Sequence, residues 1–90
     1  MTDPECLFCK IAAGQLPATY VHRSERLVAF RDVRPQAPVH VLIVPRAHLA
    51  SVREAGPGER DLLGQMLLLA AELARSEGVD GRGFRIVINT

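Results

Sequence analysis

The two cysteines of the chain form a C-x2-C pair, Cys6 and Cys9, which brings two thiolates to a spacing that is common in zinc sites. His48 adds an imidazole as a third candidate ligand. A tetrahedral zinc site needs a fourth ligand, and neither His22 nor His40 is well placed in the sequence to supply it. The pattern therefore favours a structural zinc site that is one ligand short.

Two other interpretations of the cysteine pair compete with zinc. Short C-x2-C pairs also arise by chance, so cysteines without a present role rank second. Thiol redox chemistry ranks third, because a thioredoxin-like pair follows a strand inside a βαβ unit and no such unit precedes Cys6.

Asp32 and His40 are the polar residues that best suit a binding or catalytic site. Asp32 follows Phe30, and a carboxylate beside an aromatic ring suits a ribose diol beneath a stacked base. An ordinary turn before Pro35 explains the same aspartate equally well. His40 interrupts an apolar run, where it either orients a catalytic group or is a core histidine bonded to a backbone carbonyl. The chain has no glycine-rich phosphate-binding loop, so its short sequence motifs alone do not predict nucleotide binding.

The elements that position these residues alternate between helix and strand patterns. Apolar spacing predicts a short opening helix, two β-prone runs joined at Ser24-Glu25 as a hairpin, a strand of nearly continuous apolar residues, a long helix and a last alternating strand. Their predicted bounds are 6–13, 19–23 with 26–32, 39–44, 57–78 and 84–89. The strand at 39–44 is the most apolar, so we expect it to be central and covered on both faces.

The long helix and the last strand both predict surfaces that need a partner. Pro57 suits the first turn of the helix and Gly78 its end, and the apolar stripe between them covers more than one face. The excess predicts a second copy of the chain against this helix, although a nearby loop could also cover it. In the last strand, Phe84, Ile86 and Ile88 are expected on the buried side.

Composition limits the classes of protein that the chain can represent. Its 90 residues, 48% hydrophobic and 23% charged, predict one small packed domain. A formal net charge of +1 provides no basic excess for nucleic acid. No apolar run approaches the roughly 20 residues that span a bilayer, and the acidic N-terminus has no signal-peptide pattern, so we expect a cytoplasmic protein.

Three segments resemble the histidine-triad (HIT) nucleotide-binding proteins. They are F-C-K-I at 8–11, V-A-F-R-D-V-R-P-Q-A-P-V-H-V-L-I-V-P-R-A-H at 28–48, and G-F-R-I-V-I-N at 83–89. The resemblance spans about residues 6–90 in the family's order. It implies an α+β fold with an antiparallel sheet, a short N-terminal helix and one long helix, usually in a homodimer whose long helices pack together.

The same resemblance implies a purine nucleotide such as AMP, or a nucleoside phosphoramidate, as the ligand. Carried over by position, the base and ribose-phosphate contacts fall to seven residues, with His40 supporting the catalytic histidines. The seven are Phe8, Ile11, Phe30, Arg31, Asp32, Val33 and Asn89. Many relatives have histidine where this chain has Arg31. Cys6, Cys9 and His48 match three ligands of the zinc site found in part of the family.

One departure from the family concerns catalysis. The H-x-H-x-H segment, whose central histidine forms a nucleotidyl-histidine intermediate in the family, follows the strand that ends at Asn89, and none of His22, His40 and His48 can take its place. We therefore expect residues 1–90 to be a single HIT-like domain that is incomplete at its C-terminus, and the chain alone to be inactive. A non-catalytic nucleotide-binding or dimerisation module is the alternative.

Overall fold

The computed structural model describes residues 7–14, 18–47, 49 and 51–88. The chain divides into two compact units, Met1–His48 and Leu49–Thr90. Each unit has its own secondary structure.

The first unit contains one short helix and a three-stranded antiparallel sheet. The helix is α1, Leu7–Ala12, and the strands are β1, Tyr20–Arg23, β2, Leu27–Arg31, and β3, Val41–Pro45. The strand order is β1-β2-β3, so sequential strands are neighbours. The predicted opening helix, hairpin and third strand are confirmed, with bounds that differ by one or two residues.

Local turn chemistry closes the predicted hairpin. The Ser24 backbone N–H donates to the Leu27 carbonyl over 2.9 Å, and Ser24 Oγ accepts from the Leu27 N–H over 3.3 Å. The register of β1 on β2 shifts between Tyr20 and His22, which marks a bulge. The pairing of β2 with β3 runs without interruption from Leu27 opposite Pro45 to Arg31 opposite Val41.

The prediction that the third strand is the central, fully covered one is wrong. The four residues Leu27 to Phe30 of β2 are buried, whereas every residue of β3 is only half-buried. Within the described sheet β2 has a neighbour on each side and β3 pairs with β2 alone. Position in the sheet decides burial here, and apolar composition by itself does not reveal that position.

The core of the first unit lies between α1 and one face of the sheet. Because side chains alternate along a strand, Val28 and Phe30 share this face, and they form a buried cluster with Ile11 and Ala12 of α1. Further residues pack against the cluster with part of their surface exposed: Ala18, Tyr20, Leu42 and Val44. Val28 is fully buried.

The second unit is built on the predicted long helix. A 3-10 turn over Pro57–Glu59 leads directly into α2, Arg60–Ser76. At its end Gly78 takes a φ of +74°, while the N–H of Gly78 donates to the Arg75 carbonyl and that of Val79 to the Ala74 carbonyl. This pair of bonds is the Schellman arrangement, which explains why the helix ends at the predicted glycine. In the described part of the chain no helix is both long and apolar enough to cross a membrane.

The predicted last strand at 84–89 is absent from the described residues. Residues 83–88 form no strand, and Phe84 and Ile88, expected on the buried side, are 47% and 59% exposed. Extended backbone is stabilised by the hydrogen bonds of a neighbouring strand, and no described strand pairs with this segment. The alternating pattern identified residues able to form a strand, but a pattern supplies no partner.

Candidate functional site

Asp32 and His40 face each other where β2 ends and β3 begins. Arg31 and Val41 are the last paired residues of the two strands, and the Asp32 N–H donates to the His40 carbonyl over 3.0 Å. Directly opposed residues of an antiparallel pair project their side chains from the same face of the sheet. The pairing therefore closes the loop 33–39 at its base and brings together the two polar residues that the sequence singled out.

The side chains of this pair are in contact. His40 Nε2 lies 3.5 Å from Asp32 Oδ2, and His40 Nδ1 accepts a hydrogen bond from the Gln36 N–H over 3.1 Å. Since Nδ1 acts as an acceptor, the neutral imidazole carries its proton on Nε2, towards the carboxylate. The side chains of His40 and Asp32 are 30% and 23% exposed, so a ligand can reach the pair from solvent.

This geometry bears on the turn interpretation of Asp32 and on the core interpretation of His40. Asp32 Oδ1 accepts from the Arg34 N–H over 3.0 Å, which is the turn contact expected of an aspartate before Pro35. Each carboxylate oxygen has two lone pairs, so the turn leaves acceptor capacity for a ligand. A core histidine bonded to a backbone carbonyl is the wrong interpretation of His40, because its ring is part-exposed and Nδ1 accepts from an N–H.

The predicted base-contacting residues are distributed unevenly around the pair. Phe30 and Ile11 belong to the same buried cluster, and Phe30 lies two residues before Asp32 on the same face of β2. Val33 is 89% exposed in the loop. Arg31 is exposed and, by strand alternation, projects from the opposite face of β2. The Phe8 side chain lies outside the described part of the structure.

Only one of the three predicted metal ligands, Cys9, belongs to the described residues. Cys6 and His48 lie outside them, as does Asn89 of the predicted phosphate contact. Cys9 is described and is 5% exposed. No group of three metal-ligating side chains occurs among the residues that the structure describes.

Sequence reasoning missed Gln36 as a partner of His40. The contact uses the backbone N–H of Gln36, so the side-chain type carried no signal. Its neighbours did carry one, because Pro35 and Pro38 restrict the loop and leave few conformations for the residues between them.

A family model described as "Scavenger mRNA decapping enzyme C-term binding" matches residues 5–89. The chain is 42% identical over 85 residues to Protein HitA of Neisseria gonorrhoeae, a match that covers 94% of this chain and 78% of that protein. It is 36% identical to the purine nucleoside phosphoramidase of Escherichia coli strain K12, with 96% and 72% covered. It is 40% identical to a 14 kDa zinc-binding protein of Brassica juncea, with 94% and 76% covered.

Solved structures agree with these relatives. A HIT family hydrolase from Legionella pneumophila superposes with a TM-score of 0.91 at 45% identity, over 94% of this chain and 78% of that one. A histidine triad protein from Clostridium difficile gives 0.95 at 37% identity, over 99% and 77%. The chain therefore belongs to the histidine-triad (HIT) family, and the predicted α+β fold is confirmed.

Proposed function

We propose that the chain binds a purine nucleotide such as AMP, and that the HIT protein to which it corresponds hydrolyses nucleoside phosphoramidates or related phosphoanhydrides. The observation that carries this proposal is the contact between Asp32 and His40 beside the apolar cluster of Ile11 and Phe30. An acceptor next to an aromatic wall is the arrangement that a ribose with a stacked base requires. The relationship to a purine nucleoside phosphoramidase supports the same ligand class.

In this proposal the predicted residues contact different parts of the nucleotide. Asp32 accepts hydrogen bonds from the ribose hydroxyls, and His40 supports the catalytic histidines of the H-x-H-x-H segment. Asn89 lies beside the phosphate, and Arg31 stands next to the site where it influences the choice of base. The base is held by apolar side chains: Phe8, Ile11, Phe30 and Val33.

Hydrolysis in the proposed reaction needs a histidine nucleophile. An imidazole nitrogen attacks the α-phosphorus, the bond to the leaving amine or phosphate breaks, and the leaving group takes up a proton; water then cleaves the nucleotidyl-histidine bond. The nucleophile is expected in an H-x-H-x-H segment, and His22, His40 and His48 belong to no such segment. The 90-residue chain should therefore bind nucleotide without turnover.

The proposal is tested by thermal unfolding of the chain with AMP and by an adenosine phosphoramidate hydrolysis assay. AMP that binds only the folded state raises stability, by about 2.7 kcal/mol at a hundredfold excess over Kd. Inorganic phosphate at equal ionic strength is the control. A melting temperature that AMP leaves unchanged contradicts the nucleotide site. Hydrolysis above the rate in buffer contradicts the proposal that the chain has no histidine nucleophile.

The alternative of a non-catalytic nucleotide-binding or dimerisation module rests on the same histidine pattern. It predicts the same stabilisation by AMP. A longer protein that includes this chain and an H-x-H-x-H segment distinguishes the two functions. Hydrolysis by that protein supports the enzyme, and nucleotide binding without hydrolysis supports the module.

We further propose that Cys6, Cys9 and His48 hold a structural zinc ion. Of these three only Cys9 is described, and its buried position is compatible with a thiolate ligand shielded from water. Cys9→Ser is expected to remove the zinc and lower the melting temperature, whereas His22→Ala should retain the metal because His22 is not a proposed ligand. Elemental analysis of the purified chains measures this directly. Zinc that persists in Cys9→Ser, or a wild-type chain without zinc, contradicts the site.

We also propose a homodimer formed through α2. Leu67 and Leu68 are 51% and 69% exposed on this helix, and Leu68 borders a 450 Å³ groove beside Gly64. A contiguous exposed apolar patch is typical of an interaction surface. Leu68→Glu should convert the dimer to a monomer in sedimentation velocity, while Val52→Glu, the same kind of change on an exposed residue outside α2, should not. Equal sedimentation of the two variants contradicts the interface.

A further inference from the structure

The end of α1 is held by the side chains of Tyr20, in β1, and Arg46, which follows β3. A helix leaves its last carbonyl groups without helical partners, and α1 has only six residues. The Ile11 carbonyl accepts from Tyr20 OH over 2.6 Å and from the Gly14 N–H over 3.0 Å. The Ala12 carbonyl accepts from Arg46 Nη1 over 2.7 Å.

Arg46 links this helix end to the turn between β1 and β2. Its Nε donates to the Ser24 carbonyl over 2.5 Å, and its backbone N–H donates to the Arg26 carbonyl over 2.8 Å. The planar guanidinium directs its donors in fixed directions, so the two side-chain bonds define the distance between α1 and the turn. A positive charge at a helix C-terminus is also favourable.

The position of α1 matters because the helix supplies one side of the apolar cluster. Ile11 and Ala12 pack there with Val28 and Phe30. A helix of six residues is not stable in isolation, so its position depends on tertiary contacts such as those of Arg46 and Tyr20. Movement of α1 would change the separation of Ile11 from Phe30.

We infer that Arg46 is a positioning residue, which fixes α1 against the sheet and thereby sets the separation of the proposed base contacts Ile11 and Phe30. This inference rests on the proposed nucleotide site, because Ile11 and Phe30 are its proposed base contacts. Arg46 touches no proposed ligand atom and acts through α1. It therefore affects recognition of the base and leaves recognition of the ribose and phosphate unchanged.

The first test measures α1 itself by amide hydrogen exchange over residues 7–14 of the full chain. Arg46→Met removes both side-chain donors and should speed exchange in this segment. Arg53→Met is the matched control: it removes one exposed cation and keeps the backbone N–H that bonds Ser51 Oγ. Arg46→Lys, which restores charge but not the fixed fork, should give an intermediate result. Equal exchange in the two methionine variants overturns the inference.

The second test compares AMP with ribose 5-phosphate, which lacks the base, by calorimetric titration. Arg46→Met should lower the affinity for AMP about tenfold, because binding of the base must then also order α1 against the sheet, and leave the affinity for ribose 5-phosphate unchanged. Equal losses for both ligands would mean a general effect on folding and overturn the positioning role. If the wild-type chain binds neither ligand, both the proposed nucleotide binding and the effect of Arg46 on recognition of the base are wrong. The exchange experiment still decides whether Arg46 anchors α1.

Discussion

Asp32→Ala should lower the affinity of the chain for AMP by tenfold or more and leave its affinity for 2′,3′-dideoxy-AMP nearly unchanged. A hydrogen bond to a charged group contributes about 1.5–3 kcal/mol, and tenfold corresponds to about 1.4 kcal/mol. The wild-type chain should discriminate between the two nucleotides because only AMP offers the ribose hydroxyls to the carboxylate. Calorimetric titration of both proteins with both ligands closes a double-difference cycle.

The cycle is needed because Asp32 has structural contacts as well. Its carboxylate accepts from the Arg34 N–H over 3.0 Å and lies 3.5 Å from His40 Nε2, so the alanine variant also loosens the loop. Asp32→Asn retains an oxygen for Arg34 while it removes the charge, and it should bind AMP between the wild type and alanine. If the affinities for AMP and the dideoxy analogue fall equally, Asp32 serves the turn alone and the ribose contact is wrong.

The helices and the hairpin were predictable because their signals are local. Pro57 and Gly78 mark the ends of one helical stretch, and the structure shows the reason in a 3-10 first turn and a Schellman end. Ser24 closes the hairpin with bonds to Leu27, three residues away. Each helix end and the hairpin turn is determined by residues that are close together in the chain. A single sequence is therefore sufficient to predict these features.

The order and burial of strands were not predictable, since they depend on contacts between distant residues. The apolar run at 41–44 is as hydrophobic as a central strand, but the central strand is β2. Neither composition nor alternation states which strand pairs with which. Residues 83–88 show the same limit, because their alternation predicts a strand only if another strand is available to pair with it.

The candidate site falls between these cases. The sequence identified Asp32 and His40 separately but not their contact. Pairing the predicted strands 26–32 and 39–44 across the short proline loop would have brought the two residues near each other, but the register that puts Asp32 opposite His40 is known only from the structure. The anchoring of α1 by Arg46 had no such signal, because 34 residues separate the donor from the Ala12 carbonyl.

Phe30→Ala is expected to have the largest effect on stability, and Phe84→Ala is its matched control. Both phenylalanines lie in segments that the sequence predicts as strands, but Phe30 is 4% exposed in the α1 cluster and Phe84 is 47% exposed. Phe30→Ala removes a ring from a packed core, which typically costs about 3–5 kcal/mol, a large part of the 5–15 kcal/mol that stabilises most domains. Phe84→Ala removes the same atoms from a partly solvated position and should change stability by about 0.5 kcal/mol.

Urea unfolding followed by circular dichroism measures both variants against the wild type. Since the two substitutions delete the same ring, any difference between their midpoints reports environment and not chemistry. We expect Phe30→Ala to unfold at much lower urea or to be unfolded in buffer, and Phe84→Ala to match the wild type closely. Equal losses would place Phe84 in a core of its own and restore the buried strand that its alternation predicted, whereas a near-neutral Phe30→Ala would contradict the packing of α1 on the sheet.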